Sequence, residues 1–343
     1  MITRHRGWTA LAFVAVACSA PPSFVGPASD ASVDASSGPS ILAACTALAM
    51  AECAELETCS SLLMQTRYGS VATCQTRTAE NCSTGLVAPA TGNTARQVQA
   101  CAEAYPTWSC DDFLGNVNLP AACAQRTGAL ANGASCAFPA QCTTGFCAIP
   151  PYSACGICAA EPRAGDSCSD LSNCGQRLLC LSASKVCGTL GLVDDACSVG
   201  APCGAHLSCI GDDSAKGTLG HCQASAASTG AACDPTLTKG PGCDYDLDLT
   251  CNSQSKKCEP VTISAGGGPC NADNHQFAAC AASGTCSTNE PGAIGVCTAA
   301  AADGEACSTA GGGPVCVPPA RCIVMTSGAT SGTCQEGDST ACK

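Results

Sequence analysis

Thiols dominate the chemistry open to this chain, which carries 35 cysteines in 343 residues. At that density they serve metal binding, dithiol exchange or crosslinking. Metal stores bridge their ions through Cys-x-Cys, and that pattern occurs nowhere in the sequence. A zinc ribbon needs two Cys-x-x-Cys pairs, and only Cys155-Gly-Ile-Cys158 has the spacing. Redox pairs usually sit at a helix start in a packed α/β domain, and no such pattern surrounds Cys155. Crosslinking remains, and it requires an oxidising compartment. With Cys18 set aside, the other 34 are an even number that can all pair.

Other reactive side chains are sparse. The histidines are His5, His206, His221 and His275, and His206 and His221 share a stretch with Asp212 and Asp213 between them. A nucleophile and base there, or at His275, would need a dry and rigid pocket. Asp244, Asp246 and Asp248 alternate in CDYDLDLTC like the opening of a calcium loop, but Leu249 holds the glycine position and Ser255 the final glutamate position. The expectation is an acidic, solvated hairpin face, with weak calcium binding left open. Gly266 to Pro269 and Gly311 to Pro314 are not followed by Lys-Ser/Thr and a helix, so neither cradles phosphate. No catalytic residue, cofactor or metal is expected.

Composition says what has to position the cysteines. Leu, Ile, Val and Phe number 51, about 15% of the chain, and aromatics are 3%. So little apolar area, at roughly 25 cal/mol per Å², does not offset a chain entropy of about 1 to 2 kcal/mol per residue. A crosslink closing a loop of about fifteen residues contributes about 3 kcal/mol. The net charge is −12 with 15 Lys plus Arg, adjacent only at Lys256-Lys257, so nucleic acid is excluded as a partner class.

Residues 1–17, MITRHRGWTALAFVAVA, read as a signal peptide: a basic head at Arg4, His5 and Arg6, a short apolar run and a small-residue end. Ala15-Val16-Ala17-Cys18 resembles a bacterial lipoprotein signal, in which Cys18 becomes the lipid anchor. Ala15 stands where that signal has Leu, and plain secretion after cleavage at Ala17 is the alternative. Residues 18–39 form a disordered tether of Pro, Ser, Ala and Gly.

Residues 40–130 read as a Cys-rich helical domain. Ser40 is an N-cap before a stripe of Leu42, Cys45, Ala49, Cys53 and Leu56. A second helix is expected near Ser70, with Val71, Cys74, Thr78 and Cys82 on one face. A third runs from Thr94 to Tyr105, with Val98 and Cys101, and Pro106 stops it. Trp108, Cys110, Phe113 and Cys123 close the piece. With Cys59 this makes eight cysteines, enough for four disulfides between helix faces, and no histidine that could hold a metal or haem.

From residue 133 to 343 a glycine-led start recurs before a cysteine, at Gly133, Gly165, Asp194, Gly230, Gly267 and Gly304. Six starts predict six repeats, 133–164, 165–193, 194–229, 230–266, 267–303 and 304–343. Each has four cysteines. The first holds Cys136, Cys142, Cys147 and Cys158, and the second Cys168, Cys174, Cys180 and Cys187. The third holds Cys197, Cys203, Cys209 and Cys222, and the fourth Cys233, Cys243, Cys251 and Cys258. Cys270, Cys280, Cys286 and Cys297 make the fifth, and Cys307, Cys316, Cys322 and Cys334 the sixth. Cys155 and Cys342 are left over, to pair with each other or to rearrange neighbouring bridges. Units this small need two disulfides and contact with neighbours, and short β-hairpins suit the intervals.

Five residues between Cys136 and Cys142, four before Cys147, the pair Cys155 and Cys158, then Cys168, Cys174, Cys180 and Cys187 form a spacing that resembles the N-terminal cysteine-rich domain of the dickkopf family. The likeness covers about 15% of the chain. It implies a disulfide scaffold; the adjacent Cys-Cys pair near Cys174 is missing and AAEPRAGDS is not basic, so the family's role as secreted antagonists of a signalling receptor is not implied. The whole layout resembles cysteine-rich surface lipoproteins of myxobacteria.

The expected fold class is small and disulfide-rich: an N-terminal disulfide-tied α-helical domain, then tandem disulfide-stapled β-hairpin repeats. The expected function is non-enzymatic, a binding, adhesion or structural role at a cell surface or outside the cell. The alternative is a rigid-loop or protease inhibitor, with an enzyme the third class. The expected partner is an extracellular protein or glycan, and the expected place the outer membrane or cell surface.

Overall fold

Five hydroxyl side chains set the helix starts. Ser40, Ser60, Ser70, Thr94 and Ser109 each accept a hydrogen bond from the backbone N–H three residues on, at 3.1 to 3.3 Å. The helices that follow are α1 (Ile41–Cys59), α2 (Ser61–Tyr68), α3 (Val71–Val87), α4 (Ala95–Ala104) and α5 (Cys110–Leu114). The computed structural model describes residues 38–342 apart from 169–173, 175–177, 182–183, 199, 214–215, 272–277, 289–293, 311–312 and 327. The signal peptide, Cys18, nearly all of the tether and His275 lie outside the described residues. No helix among the described ones is long and apolar enough to cross a membrane.

α2 is an element that the periodicity alone does not announce. Ser60 breaks the chain by going extended and capping a new helix, and Gly69 ends it at φ +77°. α1 and α3 run antiparallel because cysteines eight residues apart on each face are joined, Cys45 to Cys82 and Cys53 to Cys74. The expected stripe on α1 is buried from Cys45 to Leu56, but Leu42 is 71% exposed, in the first turn beyond the Cys45–Cys82 bridge. Cys59–Cys110 and Cys101–Cys123 tie α1 to α5 and α4 to the segment after α5. Tyr105, Trp108 and Phe113 pack edge to face, 5.3 to 6.1 Å apart, and the Trp108 Nε1–H donates to the Val117 carbonyl.

Beyond residue 128, each four-cysteine stretch joins its first cysteine to its third and its second to its fourth. The bridges are Cys136–Cys147 with Cys142–Cys158, Cys168–Cys180 with Cys174–Cys187, and Cys197–Cys209 with Cys203–Cys222. They continue as Cys233–Cys251 with Cys243–Cys258, Cys270–Cys286 with Cys280–Cys297, and Cys307–Cys322 with Cys316–Cys334. Cys155 pairs with Cys342, 187 residues away. The chain is thus disulfide-rich, with 17 bridges, a few helices and many small antiparallel sheets.

Strand pairing follows the same order. In the third stretch, Gly220–Ala224 is central, flanked by Ala196–Cys197 and Leu207–Ile210. All six stretches set the third cysteine opposite the fourth, from Cys147 opposite Cys158 to Cys322 opposite Cys334. In five of the six stretches an entry segment six or seven residues before the first cysteine pairs in parallel with the second, as Leu130 does with Cys142 and Ala301 with Cys316. In those five, pairing therefore starts ahead of the residue that marks the unit in the sequence.

That glycine has a backbone reason. Gly133, Gly165, Gly230, Gly267 and Gly304 all lie at φ between +80° and +90°. Each N–H donates to the carbonyl of the fourth cysteine at 2.8 to 2.9 Å, and the fourth cysteine's N–H donates back to the next residue. A Cβ at any of the five would meet nothing within 4 Å, so the dihedral and not space selects glycine. The exception, Asp194, adopts φ +68° and makes the same bond to Cys222. Gly230→Val should lower stability by about 1 to 2 kcal/mol in denaturant titration, and Asp194→Gly should shift it the other way by less than that.

Expected contact between neighbouring repeats is only part of how the stretches are held. The helices supply the rest. Residues 38–343 form one compact unit. The first stretch is tied to the turn before α4 by Gly92 N–H to the Ala140 carbonyl and by Gln141 Nε2 to the Pro89 carbonyl. In the fourth, Asp248 accepts from Ser61 Oγ and from the Leu62 N–H at the start of α2. Ala282 and Ser283 of the fifth donate their N–H groups to the last turn of α2. From the sixth, Val317 packs on the Cys53, Leu56, Met64, Tyr68 and Cys74 core.

Candidate binding cleft

The structure accounts for the reactive residues one by one. The sulfurs of Cys136, Cys142 and Cys147 lie within 4.8 Å of one another, a spacing that suits a metal when the groups are thiolates. Here all three are in disulfides. The Cys155-x-x-Cys158 spacing is not a dithiol pair either, since Cys155 joins Cys342 and Cys158 joins Cys142. Seventeen bridges belong to an extracellular or exported setting.

The aspartates of CDYDLDLTC do not form a solvated face. Asp244 is 2% exposed and its Oδ2 lies 2.8 Å from His206 Nδ1. Asp246 accepts from the His206 N–H at 3.0 Å, and Asp248 caps α2. Alternation in sequence does not predict this, because the partners lie 38 to 187 residues away. Around His206 is a recess of about 530 Å³ that includes Ser208 and Asp244. His206 Nε2 faces Asp111 of α5 at 3.4 Å, so both ring nitrogens address carboxylates. Ser208 Oγ is instead 2.6 Å from Ser225 Oγ. His221 is exposed and lies by the Asp194 carbonyl.

A second concavity, of about 360 Å³, lies where the helices meet the first and sixth stretches. Helical spacing builds one wall. Leu48 and Glu52 are one turn apart on α1, and Thr78, Asn81, Cys82 and Gly85 fall on a single face of α3. Phe138, Pro139 and Ala140 form the opposite side, with Pro318 and Pro319 at one end. The Phe138 ring lies against Gly85, where a Cβ would meet it at 3.6 Å. Asn93 and Gln125 complete the lining, and Arg67 stands at the rim, its guanidinium 5.5 Å from the Tyr68 ring.

Glu52 is the acid of this cleft. Burial raises its carboxyl above the ordinary range, against the lowering effects of Arg67 and of the Tyr105 hydroxyl, which donates to Oε2 at 3.4 Å. Tyr105 is itself held well above the usual phenol range by burial and by Glu52. A carboxyl whose folded pKa is raised keeps a proton that the unfolded chain has lost. Its effect on stability is absent below the ordinary value of 4.5 and grows unfavourable as pH rises through the folded value. Glu52→Gln should therefore flatten the fall in stability above pH 4.5 and make the protein more stable at neutral pH, read from denaturant midpoints across pH.

No family model, curated protein or solved structure matches the chain. Its own geometry is the guide to its function. Glu52, Asn81 and Phe138 carry no spacing motif that would mark them in the sequence; the one signal is that Asn81 precedes Cys82 on the crosslinked face of α3. The cleft gathers amides, a carboxyl, aromatic rings and prolines on a framework of crosslinked helices, an arrangement suited to holding a small polar molecule.

Proposed function

We propose that this chain is a non-enzymatic, exported binding protein, in which tandem disulfide-stapled hairpin repeats wrap a helical hub. The observation that carries this reading is the cleft between the hub and the two ends of the wrap, walled by elements that Cys45–Cys82 and Cys155–Cys342 hold in place. Binding needs such preorganisation, because ordering of loops subtracts from affinity. Catalysis would need a free base beside a nucleophile, and at His206 both nitrogens are directed to Asp244 and Asp111. In this reading residues 1–17 are the signal peptide, residues 18–39 are the tether and Cys18 at its start is the lipid anchor of a surface lipoprotein. The spacing from Cys136 to Cys187 resembles a dickkopf-type scaffold and supports crosslinking without supplying a partner.

The experiment uses the Cys18→Ala chain, so that an acyl group does not carry it to membranes. Isolated bacterial envelope material should retain the oxidised protein and release it after reduction. Equal behaviour of oxidised and reduced forms, or no retention of either, would contradict the reading.

A further inference from the structure

We infer that the cleft between α1, α3 and the first and sixth stretches is a site for a neutral saccharide unit. The inference rests on the binding function proposed above and names its ligand class. Amide groups without a protein partner point to it first. The side chain of Asn81 makes no hydrogen bond to protein among the described residues, though it lies half-buried in the cleft wall. Asn93 uses its Oδ1 to accept from the Arg126 N–H at 3.1 Å and leaves its Nδ2 uncommitted. In an adjoining recess of about 180 Å³, which shares Leu48, Asn93 and Val98, the Gln97 Oε1 is buried and accepts nothing from protein. Buried polar groups are satisfied in most proteins, so the unpaired Gln97 oxygen calls for a donor. A ligand that supplied both donors and acceptors would satisfy that oxygen and engage the Asn81 and Asn93 amides.

An amide presents a donor and an acceptor side by side, which matches adjacent hydroxyls on a sugar ring. The apolar face of such a ring needs apolar partners, and Phe138, Pro139, Pro318 and Pro319 all line the cleft. Charge excludes other classes. Among the described residues Arg67 is the one base in the lining, too little for a phosphate, and the net charge of −12 disfavours any anion. Among the described residues no strand lines the cleft, so an extended peptide has no edge to pair with. The volume of about 360 Å³ is at the small end of ligand clefts and admits a short saccharide, not a folded partner.

The test titrates the disulfide-intact chain with cellobiose, maltose and N,N′-diacetylchitobiose, read by calorimetry. At least one should bind saturably, and galacturonic acid should bind more weakly than the best of them. Phe138→Ala and Asn81→Leu should each weaken that binding about tenfold or more, the equivalent of 1.4 kcal/mol. Asn81→Leu preserves α3, so a normal thermal midpoint in that variant separates loss of binding from loss of fold. Binding that is unchanged in both variants overturns the inference, as does absence of binding by all three disaccharides. If envelope material still retains the chain in the latter case, the binding function stands and only the ligand class fails; if retention is lost as well, both fail.

Discussion

Changing Cys155 and Cys342 together to alanine is expected to cost about 3 to 5 kcal/mol of stability, the largest effect of any single crosslink. The bridge spans 187 residues, whereas the two bridges of each four-cysteine stretch span 11 to 19. Loop entropy rises only with the logarithm of length, so the difference is about 1 to 2 kcal/mol and not fifteenfold. Bridges inside the loop shorten it further, which keeps the figure below its upper limit. Without the clasp, closure between the first and sixth stretches rests on the Val324 N–H to the Tyr152 carbonyl at 3.0 Å and on Tyr152 packed against Ala301, Cys307, Cys322 and Cys334. Hydrogen exchange should therefore quicken first in the strands Arg321–Ile323 and Ser331–Gln335. Removal of Cys168 and Cys180 is the comparison, and it should cost about 3 kcal/mol with exchange in the sixth stretch unchanged.

Arg77→Met is expected to cost about 2 to 4 kcal/mol and to loosen the same end of the wrap by another route. Arg77 projects from α3 with 12% of its side chain exposed. Its guanidinium forms a two-pronged ion pair with Asp303 and also reaches the carbonyls of Val317 and Pro318, at 3.0 and 3.3 Å. Glu336 lies 3.2 Å away. Asp303 is 44% exposed, so its share is discounted for solvent screening; the carbonyls and the more enclosed Glu336 account for the rest. Methionine fills the volume and leaves those acceptors unmatched. Burial raises the Glu336 carboxyl while Arg77 lowers it, so in Arg77→Met it should titrate higher still. Asp303→Asn, which keeps a hydrogen-bond acceptor, should cost less than Arg77→Met in the same denaturant titration.

How far the sequence discloses this structure depends on how local each feature is. The helix caps are readable because Ser40, Ser70 and Thr94 act on N–H groups three residues ahead. The glycine-led starts are readable because one backbone dihedral recurs in front of each first cysteine. Counting four cysteines per stretch leaves Cys155 and Cys342 over, to pair with each other or to rearrange neighbouring bridges, and the structure joins them to each other. Four cysteines allow three pairings, however, and only the set register selects first with third and second with fourth. Ser60 hides a helix boundary inside what looks like one run, because nothing in spacing separates a cap from a serine within a helix. Asp248 on α2, Asp244 under His206 and Arg77 on the sixth stretch join residues 38 to 241 positions apart. Such contacts are fixed by the wrap itself, and the cleft at Glu52, Asn81 and Phe138 exists only once it has closed.

Digestion of the unreduced protein after alkylation, with mass analysis of the linked peptides, is the most direct measurement. It should find almost no alkylated cysteine after Cys18, each stretch linked first to third and second to fourth, and one peptide pair joining Cys155 to Cys342. Several free thiols per chain, or Cys155 and Cys342 bridged to other partners, would contradict the crosslinked wrap on which the cleft depends.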